Sequence, residues 1–147
     1  MKTYCDTSIL VASSLQTHDF YQEGRYVHEL VRKASLQGYI STHVIAELYS
    51  SLTRLPRPLQ FSGPEARQLI VQDVLPYFEA VDLTHEDYMA AIDKSCETGR
   101  AGGAFYDVLH LAAARKSHCD VIFTFNVRHF RELAPDLATR IRAPQLP

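Results

Sequence analysis

The sequence predicts an α/β protein built on a mainly parallel sheet, and three observations carry the prediction. Short apolar segments of strand length alternate with longer segments of helical periodicity along the chain. No hairpin signal such as Asn-Gly joins any two strand segments. The Val121–Phe125 segment is almost wholly apolar, as a strand covered on both faces must be.

The elements follow in order. Lys2-Thr3-Tyr4-Cys5 reads as the first strand. Asp6-Thr7-Ser8 are good N-cap types for a short helix over Ile9–Leu15. His18–Leu36 is helical, with apolar Tyr26, Val27, Leu30, Val31 and Ala34, and Gln37-Gly38 is its expected stop. Tyr39-Ile40-Ser41 is the second strand. Thr42 is expected to cap a helix reaching about Leu55, because Val44, Ile45, Leu48, Leu52 and Leu55 recur at helical spacing. Pro56–Gly63 is a loop. Ser62 or Gly63 before Pro64 opens another helix, ending near Leu75-Pro76. Tyr77–Leu83 is a strand candidate. Thr84, with Asp87 three residues on, opens a helix lasting to Cys96 or Thr98. The loop Gly99–Ala104 leads into an apolar helix over Phe105–Ser117. After the Val121 strand, Asn126–Leu133 is a turn and short helix, and Arg140-Ile141-Arg142 is a last edge strand.

Composition narrows the classes. With 147 residues, 46% hydrophobic and 22% charged, the chain is expected to form one domain over 1–147. No stretch approaches the roughly 18 apolar residues of a membrane span. Met1–Leu15 carries Asp6 inside its apolar run, so it does not read as a signal peptide. The three cysteines, Cys5, Cys96 and Cys119, are scattered, and no Cys/His pairing has zinc-finger spacing. A zinc site is therefore not expected, and a reducing, cytoplasmic location is. Nucleotide-cradling glycine motifs are absent. The net charge of −2 argues weakly against nucleic acid, yet it is unevenly spread. Residues 1–99 carry 8 Lys+Arg against 13 Asp+Glu, whereas residues 100–147 carry 7 against 4.

In parallel sheets the chemistry lies beyond the carboxyl ends of the strands, where strand order switches. Asp6-Thr7-Ser8 and Thr124-Phe125-Asn126 occupy two such ends. Asp6 suits either a helix cap or a metal ligand or acid/base. Glu47 lies opposite the Val44/Leu48 stripe, beside His43 and Ser51, and taken alone is a solvated helix residue. Asp107 sits in the first turn of the Phe105 helix, where the helix dipole favours an acid. That helix is apolar nearly all round and is expected to be buried, so Asp107 needs a partner there, and a cation is one kind. His43 and His110 lie one turn from Glu47 and Asp107, and structural roles are the expectation for both. Cys5 should point into the core, with no base placed to activate it. Each acid alone is ambiguous. Three acids at the starts of three helices, on one expected sheet edge, form a pattern.

That pattern resembles the PIN-domain ribonucleases, especially the toxin subunits of type II toxin–antitoxin pairs of the VapC kind. The matching segments are Tyr4-Cys5-Asp6-Thr7-Ser8-Ile9-Leu10, His43-Val44-Ile45-Ala46-Glu47-Leu48, and Tyr106 to Ala114 running into Val121–Phe130. The resemblance covers the whole chain, and its last segment is the most specific. It implies a three-layer α/β/α sandwich with a five-stranded sheet in order 3-2-1-4-5. It implies a metal-dependent endoribonuclease using Mg²⁺ or Mn²⁺ held by Asp6, Glu47 and Asp107, with Thr7, Ser8, Thr124 and Asn126 supporting. It implies an RNA substrate, a cognate antitoxin and a homodimer, with no membrane. Arg100 and Arg128 flank the expected site loops and are the candidates for RNA phosphates. One departure stands out: many relatives have a fourth acid near the fourth strand's end, where this chain has Asn126, with His129 three residues on. A single metal is expected for that reason, and a PIN fold that binds RNA or a partner without cutting is the competing reading. A phosphatase-type Asp-x-Asp is disfavoured because Ser8 fills the second Asp position.

Overall fold

Five parallel strands lie side by side in the order β3-β2-β1-β4-β5 in the computed structural model, which describes residues 1–147. They are β1 (Lys2–Cys5), β2 (Gln37–Ser41), β3 (Phe78–Val81), β4 (Val121–Phe123) and β5 (Ile141–Arg142). The helices are α1 (Thr7–Ser14), α2 (Tyr21–Arg32), α3 (Thr42–Thr53), α4 (Gly63–Leu69), α5 (His85–Thr98), α6 (Ala104–Lys116) and α7 (Val127–Leu133).

Strand alternation sends successive side chains to opposite faces and so makes two cores. Tyr4, Tyr39 and Ile122 pack with Val108, Leu109, Leu111 and Phe130 of α6 and α7. Cys5 and Ile40 pack on the other face with Ile9, Leu10, Val27, Val44 and Leu48 of α1, α2 and α3. The result is the three-layer sandwich, in the strand order the family resemblance implies. The order turns at β1 and β4, which pair in register Tyr4↔Ile122 and Cys5↔Phe123. Their carboxyl ends therefore open side by side.

The local signals hold where chain-neighbour chemistry decides them. Ser62 and Glu65 form a reciprocal capping box at α4, and Thr84 and Asp87 another at α5. Four expectations are corrected and one is refined. Gly38 does not stop α2; Ala34 does, in a left-handed conformation at φ 55°. Gly38 instead pairs with Thr3 inside the sheet, under Val31 and Phe78. Ser41, not Thr42, holds the N-cap position of α3, and its hydroxyl goes to His43 rather than to the helix. The helix opened at Ser62 does end near Leu75, through a π-turn over Ile70–Val74 closed by Leu75 N–H on the Ile70 carbonyl at 3.0 Å. β4 ends at Phe123, two residues earlier than expected, and the Thr124 hydroxyl that follows goes to Asp6. Finally, α6 is not buried all round: Tyr106 is exposed, and Phe105, Asp107 and Ala112 are only partly covered.

Candidate active site

The site begins with Asp6, the residue after β1. Its carboxylate caps α1 by accepting from Ile9 N–H at 3.3 Å. The same group accepts from Ser8 Oγ at 2.6 Å and from Thr124 Oγ1 at 2.7 Å. The cap expected of Asp6 is thus present, and the same carboxylate stands at the paired ends of β1 and β4. Asp6 is 4% exposed, and burial pushes its carboxyl above the ordinary value of 3.8 against the pull of His110 and these donors.

Thr124 joins the two strand ends. Besides donating to Asp6, its hydroxyl accepts from Asn126 N–H at 2.9 Å. Ser8 Oγ accepts from Phe125 N–H at 3.2 Å. The Asn126 side chain then donates to Asp107 Oδ2 at 3.1 Å. On the other side Thr7 Oγ1 donates to Glu47 Oε2 at 2.6 Å. One continuous set of hydrogen bonds and adjacent residues therefore runs Glu47–Thr7, Asp6–Thr124–Asn126, Asp107.

The histidines are placed differently from the sequence expectation. His110 Nε2 lies 3.0 Å and His43 Nε2 3.4 Å from Glu47 Oε2. Tyr4 supports this arrangement from below. Burial, then the charges of Asp6 and Glu47, push its phenol up, so it stays protonated, and its hydroxyl lies 2.9 Å from His110 Nδ1. Burial pushes the Glu47 carboxyl up, but the hydrogen bond and charge of His110, with Thr7, outweigh it and hold the net value low. Burial and the neighbouring His110 lower His43 to about 4. Linear sequence shows His43 beside Glu47 on α3; it carries no signal that His110 of α6 reaches the same oxygen.

Asp107 is not isolated either. His129 Nδ1 donates to its Oδ2 at 2.5 Å, beside the Asn126 amide. The partner that the sequence reading sought for Asp107 is thus supplied by Asn126 and His129 from the start of α7. Arg100 and Arg128 both reach Glu132, at 3.6 Å and 2.9 Å, with Arg128 93% exposed.

The donor set suits a hard divalent cation, because the oxygens offered are carboxylates and two of them, Glu47 Oε1 and Asp107 Oδ1, accept no hydrogen bond. Asp6, buried and disfavouring its own charge, would be relieved by such an ion. The ligand atoms of Asp6, Glu47 and Asp107 do not close to within 4.8 Å as a trio; His43, Glu47 and His110 do. A polar cavity of about 600 Å³ beside α3 is lined by His43, Glu47, Ser51, Arg54 and Tyr106. A second recess, lined by Thr7, Ser8, Phe20, Glu47 and Phe125, lies next to it.

Comparison with known proteins gives three findings. The sequence matches the family model of the PIN domain over residues 3–135. No curated protein matches it. Among solved structures the fold is similar to VapC20 of Mycobacterium tuberculosis, described as a sarcin–ricin loop cleaving toxin, with a TM-score of 0.65 at 17% identity over 84% of this chain and 89% of that one. It is also similar to VapBC2 from Rickettsia felis, described as bound to a DNA fragment from its promoter, with a TM-score of 0.63 at 18% identity over 99% of this chain and 100% of that one.

Proposed function

We propose that this chain, which belongs to the PIN domain family, is a Mg²⁺- or Mn²⁺-dependent endoribonuclease that acts as a toxin and is silenced by a cognate antitoxin. The observation that carries the reading is the hydrogen-bonded run from Glu47 through Thr7, Asp6, Thr124 and Asn126 to Asp107 at the switch in strand order. The similarity in fold to a sarcin–ricin loop cleaving toxin, VapC20, and to VapBC2 supports the class.

Asp6, Glu47 and Asp107 would hold the cation. When bound, it supplies water of lowered pKa and a contact for phosphate charge. The rest is the chain's own work. Thr124 and Ser8 fix both Asp6 oxygens, so that carboxylate cannot turn away. Thr7 holds Glu47 Oε2 and leaves Oε1 toward solvent, and Asn126 does the same for Asp107. Arg100 and Arg128 are the proposed phosphate contacts, because Glu132 holds them near the site loops without burying Arg128. The bound ion offsets two acidic charges, and the basic excess of residues 100–147 then favours RNA. Cytoplasmic action and a homodimer belong to the same reading; no helix is long and apolar enough to cross a membrane.

The test is cleavage of RNA with Mg²⁺ or Mn²⁺, with Asp6→Asn and Asp107→Asn as controls. Cleavage lost in both variants is the expected result. No cleavage with either ion, or cleavage indifferent to both substitutions, overturns it. Asn126, an amide bonded to Asp107 where many relatives have an acid, favours one competing reading. In that reading the chain binds RNA or a protein without cutting, and the same assay decides between them.

A further inference from the structure

We propose that His43, Glu47 and His110 form a second cation site, for a borderline transition ion of the Zn²⁺ class, which competes with the carboxylate cluster for Glu47. Binding at this site does not depend on the nuclease reading; only its inhibitory consequence rests on that reading.

The two imidazoles come from different helices, His43 from the first turn of α3 and His110 from the second turn of α6. Both aim Nε2 at one oxygen, Glu47 Oε2, at 3.4 Å and 3.0 Å. Their rings stand 4.5 Å apart, tilted by 53°, so they converge without stacking face to face. All three ligand atoms lie within 4.8 Å of one another. Four ligands around Zn²⁺ at about 2.0–2.1 Å sit roughly 3.3–3.4 Å from each other. The two His-to-Glu spacings are already close to the edges of that tetrahedron.

The far side of each ring is also prepared. His110 Nδ1 meets the Tyr4 hydroxyl at 2.9 Å and His43 Nδ1 meets the Ser41 hydroxyl at 2.6 Å. A hydroxyl both donates and accepts. Each ring can therefore carry its proton on Nδ1, donating to the hydroxyl, and present the Nε2 lone pair to an ion. A ligating histidine almost always has such an outer partner. His43 and His110 are themselves 7% and 3% exposed, and Glu47 is 22% exposed, so the rings are fixed while the carboxylate meets solvent. The fourth position falls toward the polar cavity beside α3, which leaves room for water. Two imidazoles and one carboxylate select Zn²⁺, Co²⁺ or Ni²⁺ over Mg²⁺, which prefers all-oxygen ligands.

An ion here takes Glu47 Oε2 from Thr7 and occupies the carboxylate that the proposed nuclease site also needs. Filling the site should therefore silence RNA cleavage.

The experiment is a titration of the metal-free full chain with Co²⁺, read by the visible bands of a tetrahedral ion, followed by displacement with Zn²⁺. The expected result is one Co²⁺ per chain with tetrahedral intensity. His43→Asn and His110→Asn should each weaken it by more than the roughly 10–100-fold that loss of an outer-shell partner costs. Ser41→Ala, a milder change, should weaken it by about 10-fold and guards against variants that fail to fold. Asp6→Asn and Asp107→Asn should leave the bands intact. No tetrahedral bands, bands indifferent to both histidine substitutions, or bands lost in Asp6→Asn would each overturn the site. Bands in the Co²⁺-loaded chain, with no RNA cleavage by the Co²⁺-free chain given Mg²⁺ or Mn²⁺, overturn the nuclease and keep the site; such cleavage without bands does the reverse.

Discussion

Thr124 is the side chain on which the two strand ends of the site meet. Its hydroxyl is fully buried, donates to Asp6 and accepts from Asn126. Thr124→Val keeps the shape and removes both bonds. It should cost about 1–3 kcal/mol, the range for an unsatisfied buried partner, while Thr124→Ser costs little. Urea denaturation measures both, and in an Asp6→Asn background the valine penalty should shrink. His28 offers a test of pH dependence away from the site. Its imidazole is buried, with Nε2 2.7 Å from the Asp73 carbonyl and Nδ1 3.2 Å from Ser13 Oγ. Burial lowers its pKa below the ordinary 6.5. The unfolded chain takes the proton first, so stability falls as the pH drops below about 6.5. His28→Gln should flatten that part of the profile, seen as urea midpoints that change less between neutral and mildly acid pH. At this scale Asp6, Glu47 and Asp107 were legible because each stands at a fixed offset from a recognisable element. The convergence of His43 and His110 on Glu47, and the Asn126–Asp107–His129 contact, were not, because each joins residues distant in the chain.

Helix α2 approaches α1 through Gly24. A Cβ there would stand 2.9 Å from the backbone nitrogen of Ser13 and 3.0 Å from Ala12 Cβ and from the Ile9 carbonyl oxygen. Backbone cannot yield as a side-chain tip can, so Gly24→Ala should push the helices apart at about 1–3 kcal/mol, the usual range for overpacking. Gly103→Ala, with nothing within 4 Å of its Cβ, should stay within about 0.5 kcal/mol. Thermal unfolding of the two variants separates a packing glycine from a loop glycine. The helix starts that depend on local chemistry, Ser62 with Glu65 and Thr84 with Asp87, were readable from spacing alone. The helix ends were less so. Ala34 stops α2 with no glycine to announce it, and the π-turn at Ile70–Val74 contains Asp73, whose carbonyl meets His28 in a contact no local pattern encodes.

Across the whole molecule, the acids gathered at the strand ends should make stability respond to divalent ions. An ion that binds only the folded chain adds about 2.7 kcal/mol when present at 100 times its dissociation constant. Thermal unfolding with Mg²⁺ or Mn²⁺, and again after chelation, should show that gain, and Asp6→Asn should abolish it. RNA retention should rise with the ion and fall steeply with salt, because phosphate contacts release counterions. By itself the sequence determined the alternation of strands and helices, the sheet's mainly parallel character and the three acids at helix starts. Periodicity, capping and turn chemistry act over a few residues and leave a local trace. Only the tertiary structure decided which distant side chains meet on one carboxylate: His110 with His43 on Glu47, and Thr124 on Asp6. Those meetings depend on strand order and helix packing, which bring together residues that no short window of sequence contains.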